Sequence, residues 1–370
     1  MRVLMVSKAC LTGTYQSKLT AIGQHAEVDL AVMVPPFWED PAGRVELERQ
    51  YTDGYEFWVE PLRFNGNYHL HHWPTLRARA AEFKPDIIHM DEEPYNFATW
   101  LALRAAKRAG AKFLFFSWQN IFRKYPPPFR WMEQQVLQQA DFGIMGNRDA
   151  ADVFLRKGFA APHAIIPQFG IDAEVFKRRE LKVEGREEGE VKRIGFAGRL
   201  IWGKGVDLLL DAVALLTKTT AWEILIAGEG PEENSLKTQA QTLGIAERVK
   251  FVGRKTSAEM PAFLQSLDAL VLPSRTLPTW KEQFGRILVE AMACGVSVIG
   301  SGSGEIPHVI GDAGAVFKEG DATDLAQKLE QVLAADQEEL AQVGRERVLT
   351  HFTQHKIAAE TIKVYEQLVR

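Results

Sequence analysis

Cysteine is nearly absent: Cys10 and Cys294 are the only two in 370 residues. That is too few for a disulfide framework and reads as two free, buried thiols in a reducing compartment. No apolar stretch approaches the ~20 residues that cross a bilayer. The run Val3-Leu4-Met5-Val6 is too short for a signal peptide's apolar core and reads as a first β-strand, so the expected location is cytoplasmic. Neither charge dominates, with 44 Lys plus Arg against 48 Asp plus Glu. That balance excludes a sequence-independent nucleic-acid binder, which needs a basic excess. There is no Asp-x-Asp triplet and no His/Cys cluster at ligand spacing, so no metal is expected. The first strand is followed by SKACLTGT at 7–14 rather than G-x-G-x-x-G, which argues against a dehydrogenase.

What is present is an alternation. Apolar runs at 28–34, 87–90, 113–116 and 142–145, then at 194–197, 223–227, 249–252, 269–272 and 296–300, read as buried strands. Amphipathic segments at 97–109, 206–216, 261–265 and 325–334 read as helices between them. Strands apolar on both faces, alternating with helices, imply parallel sheets covered on both sides. The pattern predicts an α/β protein of two doubly wound domains with a cleft between them. The charged run KRRELKVEGREEGEVKR at 177–193 reads as their connection, which puts the domains at 1–175 and 176–354. Ile357, Thr361, Val364, Tyr365 and Leu368 form one stripe of a final helix, 355–370. That helix either packs locally or crosses back onto the first domain, and periodicity does not choose.

The chemistry concentrates in two segments of the second half. Residues 280–295, WKEQFGRILVEAMACG, put Glu282 at the mouth of a helix and Glu290 on it, eight residues on. Their backbones are then about 12 Å apart along the axis, a span that suits the sugar and the ribose of an extended nucleotide sugar. Carboxylates accept paired hydroxyls, so Glu282 can hold the sugar and Glu290 the ribose. The amides of Gln283, Phe284 and Gly285 at the helix start can bind the donor's oxygens. An ordinary helix, with one acid near its N-terminus and one on its polar face, accounts for the same pair. Residues 194–207, IGFAGRLIWGKGVD, add Arg199 at a strand's carboxyl end and Lys204 beside the next helix start. Two fixed cations there suit a leaving diphosphate without a metal. Glycine turns at Gly228, at Gly253 after Val252, and at 300–304 (GSGSG) follow other strands, as βα turns commonly do.

Together these segments resemble glycosyltransferase family 4, the retaining family with the GT-B fold of two facing Rossmann-like domains. The resemblance is carried by GRL…GKG at 198–205, Glu282 to Glu290, GEGP from Gly228, FVG from Phe251 and SGEIP at 303–307. It covers nearly the whole second half and is fainter in the first. It implies that Arg199 and Lys204 hold the donor diphosphate, Glu282 the transferred sugar and Glu290 the ribose. Gly228 and Val252 would lie near the nucleobase, with Glu305 behind the site. In the first half, Thr12-Gly13-Thr14-Tyr15 stands where the family places a glycine-containing loop over the donor. Many members carry Thr-x-His after the strand at 113–116, whereas this chain has Ser117-Trp118-Gln119-Asn120. Gln119 can orient a hydroxyl there but cannot act as a base.

The implied activity is metal-independent, retaining transfer of a sugar from a UDP- or GDP-sugar to a saccharide or lipid-linked acceptor. The implied setting is cell-surface polysaccharide or glycoconjugate synthesis, with no cofactor. The alternatives are a nucleotide-sugar epimerase, which needs no acceptor, or a phosphorylase of the same fold, and a non-catalytic homologue, which binds a nucleotide sugar without turnover. Glu92 and Glu93, in DEEPYN at 91–96, can meet an acceptor, act as a base, or cap the helix that begins near Asn96. His69, His71 and His72 read as a polar surface loop. FRKYPPPFRW at 122–131 mixes rings and cations around three prolines. It fits a peripheral contact with the inner face of a membrane, or a lipid-linked acceptor, and equally a stiff loop packed on protein.

Overall fold

The structure, a computed structural model, describes residues 1–40, 43–178, 191–216 and 221–370. Most of the charged run at 177–193 lies outside the described residues. The chain divides into two compact units, Met1–Gly170 with Gln354–Arg370, and Ile171–Thr353.

In the first unit the strands are β1 (Arg2–Val6), β2 (Asp29–Val34), an antiparallel pair β3 (Phe37–Asp40) and β4 (Gly43–Glu46), and β5 (Glu56–Val59). They continue with β6 (Ile87–Met90), β7 (Lys112–Ser117), β8 (Phe142–Met145) and β9 (His163–Ile165). All but β3 and β4 form one parallel sheet, in the order β5-β2-β1-β6-β7-β8-β9. Successive strand residues point to opposite faces, so an apolar run supplies both. Leu4 and Val6 pack with Phe113, Phe115 and Phe154 on one side, while Val3 and Met5 pack with Leu114 on the other. The helix Gln354–Val369 covers that second face, burying Ile357, Thr361, Val364 and Tyr365.

The second unit holds β10 (Lys192–Ala197), β11 (Trp222–Ala227), β12 (Val249–Phe251), β13 (Ala269–Leu272), β14 (Ser297–Ser301) and β15 (Gly314–Phe317). They form a parallel sheet in the order β12-β11-β10-β13-β14-β15 around one apolar core. Every apolar run read from the sequence is a strand here, with ends shifted by no more than two residues. Five strands were not foreseen: β3 and β4 form a separate, mostly exposed pair, and β5, β9 and β15 are edge strands with partly exposed faces, so none carries a continuous apolar run.

Each sheet reverses its strand order once, between β1 and β6 and between β10 and β13. Loops leave such a point in opposite directions and open a crevice at the carboxyl ends of the strands, where ligands of doubly wound sheets bind. In the first unit the crevice floor is a buried polar network. The Ser7 hydroxyl, after β1, donates to Asp91 Oδ2, after β6, at 2.6 Å, and Gln168 Nε2 donates to the same oxygen at 3.0 Å. Lys18 Nζ donates to the Gln168 carbonyl at 3.0 Å, and His89 Nδ1 lies 2.7 Å from the Tyr365 hydroxyl.

Two predictions concern this network. Tyr365→Phe leaves buried His89 Nδ1 without its partner and should cost roughly 1–3 kcal/mol. The cost should be read as a lower urea midpoint at unchanged slope. Burial pushes the Asp91 carboxyl up from 3.8 to about 6, against the pull of Lys18, Ser7 and Gln168. The folded state therefore holds this proton more tightly, so Asp91's contribution to stability is complete below 3.8 and is lost as pH rises through about 6. Asp91→Asn should flatten unfolding free energy against pH over that interval, and an unchanged slope would assign the effect elsewhere.

Candidate functional site

In the second unit the loops after β10, β11 and β12 lie side by side. Gly198 N donates to Ala227 O at 2.9 Å, Leu200 N to Glu229 O at 2.9 Å, and Gly228 N to Gly253 O at 3.0 Å. The approach admits no side chain, since a Cβ on Gly228 would lie 1.9 Å from the Gly198 carbonyl oxygen. Val252 N donates to Ile226 O at 2.9 Å, so Gly228 and Val252 occupy neighbouring strand ends.

Arg199 follows β10, and its exposed side chain makes no hydrogen bond or ion pair with any described residue. A tight turn, Trp202–Lys204, and Gly205 in the left-handed region (φ +67°) then start the helix Val206–Ala214. Lys204 Nζ donates to Glu282 Oε2 at 2.6 Å, and the Ser274 hydroxyl donates to the same oxygen at 2.9 Å. Ser274 follows β13, so these contacts tie the loops on either side of the strand-order reversal. Beside them Arg275 grips Asp207 with both terminal nitrogens, each at 2.6 Å. Sequence reading missed Ser274 and the Arg275–Asp207 pair. The partners stand 68 positions apart, and only the sheet order brings them together.

The helix bearing Glu290 is Arg286–Ala293, and Gly285 at its cap is left-handed (φ +78°). This corrects the sequence expectation. The left-handed glycine turns the chain out of the helix, so Glu282, Gln283 and Phe284 lie in the preceding loop. Helical rise therefore does not set the distance from Glu282 to Glu290. The SGEIP segment supports Glu282 from behind: Glu305 N donates to Glu282 O at 3.3 Å, and a Cβ on Gly304 would sit 2.0 Å from that oxygen. Glu290 is 9% exposed and accepts from Arg286 Nε at 2.7 Å. Burial pushes its carboxyl upward, and Arg286 opposes the shift.

In the first unit, Gly13 N donates to Glu48 Oε2 at 2.7 Å. Glu92 and Glu93 follow β6 but have opposite characters. Burial would raise Glu92, but Lys8, 3.6 Å away, and His71, 3.8 Å away, prevail and hold it at about 2. Burial pushes Glu93 up to about 7, although Ser117 Oγ (2.5 Å) and Trp118 N (2.8 Å) donate to its two oxygens. Neither carboxylate caps the helix Phe97–Ala109, which begins without a side-chain cap. Glu92 is drawn instead to Lys8 and His71, and Glu93 to Ser117 and Trp118. Gln119 is 8% exposed: its Oε1 accepts from Lys157 Nζ at 3.0 Å, and its Nε2 donates to Ile121 O at 3.1 Å. Lys157, which sequence reading did not single out, also pairs with Glu133.

The expectation of a surface histidine loop fails at His71. It is fully buried, packed edge-on against Trp38 and Trp73, with Nδ1 3.0 Å from the Asn67 carbonyl. Among the described residues, no three His, Cys, Asp or Glu side chains are grouped to hold a metal, and no helix is long and apolar enough to cross a membrane.

Comparison with known proteins agrees with this layout. Residues 177–347 match the family described as glycosyl transferases group 1, and residues 12–168 match the glycosyl transferase 4-like domain. The D-inositol 3-phosphate glycosyltransferase of Mycobacterium ulcerans (strain Agy99) is 32% identical over 197 residues, which is 50% of this chain and 41% of that protein. The N-acetyl-alpha-D-glucosaminyl L-malate synthase of Bacillus anthracis is 32% identical over 171 residues, 45% of this chain and 43% of its own length. The chain thus spans about half the length of the curated relatives it matches, or less. Sucrose-phosphate synthase from Thermosynechococcus elongatus superposes with a TM-score of 0.71 at 19% identity, over 100% of this chain and 99% of that one. Anabaena HepE in complex with UDP gives a TM-score of 0.71 at 18% identity, over 99% and 100%. At such identities the structures establish the fold alone, that of the GT-B glycosyltransferases. With its two halves matched in turn by the 4-like and group 1 profiles, the chain belongs to the family 4 glycosyltransferases.

Proposed function

We propose that this chain transfers a sugar from a UDP- or GDP-sugar to a saccharide or lipid-linked acceptor, with retention of configuration and without a metal. The reaction belongs to the cytoplasm, in the synthesis of cell-surface polysaccharide or glycoconjugate. The observation that carries this reading is the Lys204–Glu282 contact at a strand-order reversal, with exposed Arg199 on the adjoining loop. A donor needs cations for its diphosphate and an acceptor group for its sugar, and this arrangement supplies both. HepE, solved with UDP and with UDP-glucose, supports a nucleotide-sugar donor.

Arg199 and Lys204 hold the diphosphate. An ammonium has three donors, and Glu282 is the only hydrogen-bond partner of Lys204 Nζ among the described residues, so the ammonium has capacity for phosphate oxygens. As the anomeric C–O bond lengthens, charge grows on the leaving phosphate, and the two fixed cations stabilise it. Glu282, fixed by Ser274 and Lys204, accepts the sugar's hydroxyls, and Glu290, with Arg286 on one oxygen, accepts the ribose diol. The departing phosphate takes the acceptor's proton on the same face, which retains the configuration. That step asks no base of Gln119, whose carbonyl is bound to Lys157.

Nucleotide sugars should raise the melting temperature in the presence of EDTA. Glu282→Ala should respond to the bare nucleotide with no further gain from its sugar. Arg199→Ala and Lys204→Ala should each lower kcat/KM roughly 10²–10³-fold. No response of the wild type to any nucleotide sugar, or a response that EDTA abolishes, would overturn the proposal.

A further inference from the structure

One face of the first unit is left unused by the chemistry above. From Pro94 to Met132 the chain carries seven Lys and Arg and no Asp or Glu, in a protein of net charge -4. The helix Phe97–Ala109 lies within that stretch, and its solvent side is the stripe Phe97, Trp100, Leu101, Arg104, Lys107 and Arg108. Rings continue across neighbouring elements. Trp131 lies 5.5 Å from Trp100, Phe97 lies 5.1 Å from His72, and His72 lies 5.9 Å from Phe64. Phe64 is 62% exposed and Trp131 50% exposed. Phe64 keeps its place in the left-handed region (φ +53°), a conformation costly for a bulky side chain. Arg104 stacks on Trp100 at 4.7 Å, while Arg63 and Arg130 flank the outer rings. The next helix, Phe129–Gln139, shows solvent Arg130, Trp131 and four glutamines, and its one acid, Glu133, is buried against Lys157.

A solvated face of ordinary composition would mix both signs of charge. This one combines exposed rings with cations and excludes acids over two helices and a loop. Exposed rings at such a face gain by leaving water, and the cations supply attraction toward negative charge. A helix with Trp, Phe and Leu beside Arg and Lys lies in the plane of an anionic lipid surface, with its rings at the headgroup level.

We propose that this face docks the protein peripherally on an anionic lipid bilayer, with the loop around Phe64 and the Arg130-Trp131 corner entering the headgroup layer. The inference concerns an interaction surface and does not depend on the transfer reaction proposed above.

The test is sedimentation of the full chain with vesicles of phosphatidylcholine alone and of phosphatidylcholine mixed with phosphatidylglycerol. Binding is expected to the mixed vesicles only and should weaken with added salt. The triple variant Arg104→Gln, Lys107→Gln, Arg108→Gln should lose roughly a hundredfold in partition coefficient. Phe64→Ser and Trp131→Ser should each lose on the order of tenfold. All of these variants should keep the wild-type melting temperature and nucleotide response. Lys318→Gln, at an 80% exposed side chain in the second unit, should bind vesicles like the wild type. Three results would overturn the proposal: no binding to mixed vesicles at low salt, loss of binding by Lys318→Gln equal to that of the triple variant, or full binding by the triple variant. Binding to a soluble polyanion such as heparin, with none to vesicles, would overturn it in favour of an acidic saccharide.

Discussion

The contact between Lys204 and Glu282 fastens two loops that no strand ladder joins. β10 and β13 are neighbours, but the loops leaving their carboxyl ends depart in opposite directions, and a crevice opens between them. A 2.6 Å ion pair closes that gap, and Ser274 holds it in register. The side chains are 16% and 11% exposed, so water screens part of the attraction and spares part of the desolvation. Loss of Lys204 removes the cation from the mostly buried Glu282 carboxylate and leaves Ser274 still donating to it, and the bidentate Arg275–Asp207 clamp beside it limits how far the loops can then relax. The same two side chains are those proposed to meet the donor, so their geometry is set before any ligand arrives.

The first unit solves the corresponding problem differently. Its strand-order reversal is bridged by Ser7 and Asp91, both buried, and the next two residues are carboxylates pushed in opposite directions. Glu92 at about 2 and Glu93 at about 7 are adjacent in sequence, yet one faces Lys8 and His71 while the other is turned toward Ser117 and Trp118. Environment, not residue type, separates them.

Much of the architecture was legible in the sequence, because a parallel sheet buried on both faces writes its strands as plain apolar runs. Residues 87–90, 142–145 and 269–272 were read without error for that reason. Three of the four edge strands of the parallel sheets, β5, β9 and β15, escaped, since half-exposed residues carry no such mark. At the site, sequence motifs singled out Arg199, Lys204, Glu282 and Glu290, and the fold places Lys204 against Glu282. The helix start was misjudged because the apolar spacing around Phe284 continues through Gly285, and a left-handed backbone leaves no periodic trace. His71 was assigned to the surface by its polarity, while its burial is fixed by Trp38 and Trp73, one distant in sequence and one two positions on. Pairings such as Lys157 with Gln119 depend on tertiary approach and had no signal to read.

The helix Gln354–Val369 has a consequence for the order of synthesis. It covers the face of the first sheet formed by Val3, Met5 and Leu114, although the whole of Ile171–Thr353 is translated in between. His89 and Tyr365 are 276 positions apart. On the ribosome, the first unit therefore waits with one apolar face only partly covered, by Leu19 and Ile22, while the second emerges and can close its own core. A nascent chain in that condition is the form most exposed to aggregation and to chaperones, and the first unit's core closes only when Gln354–Val369 is released.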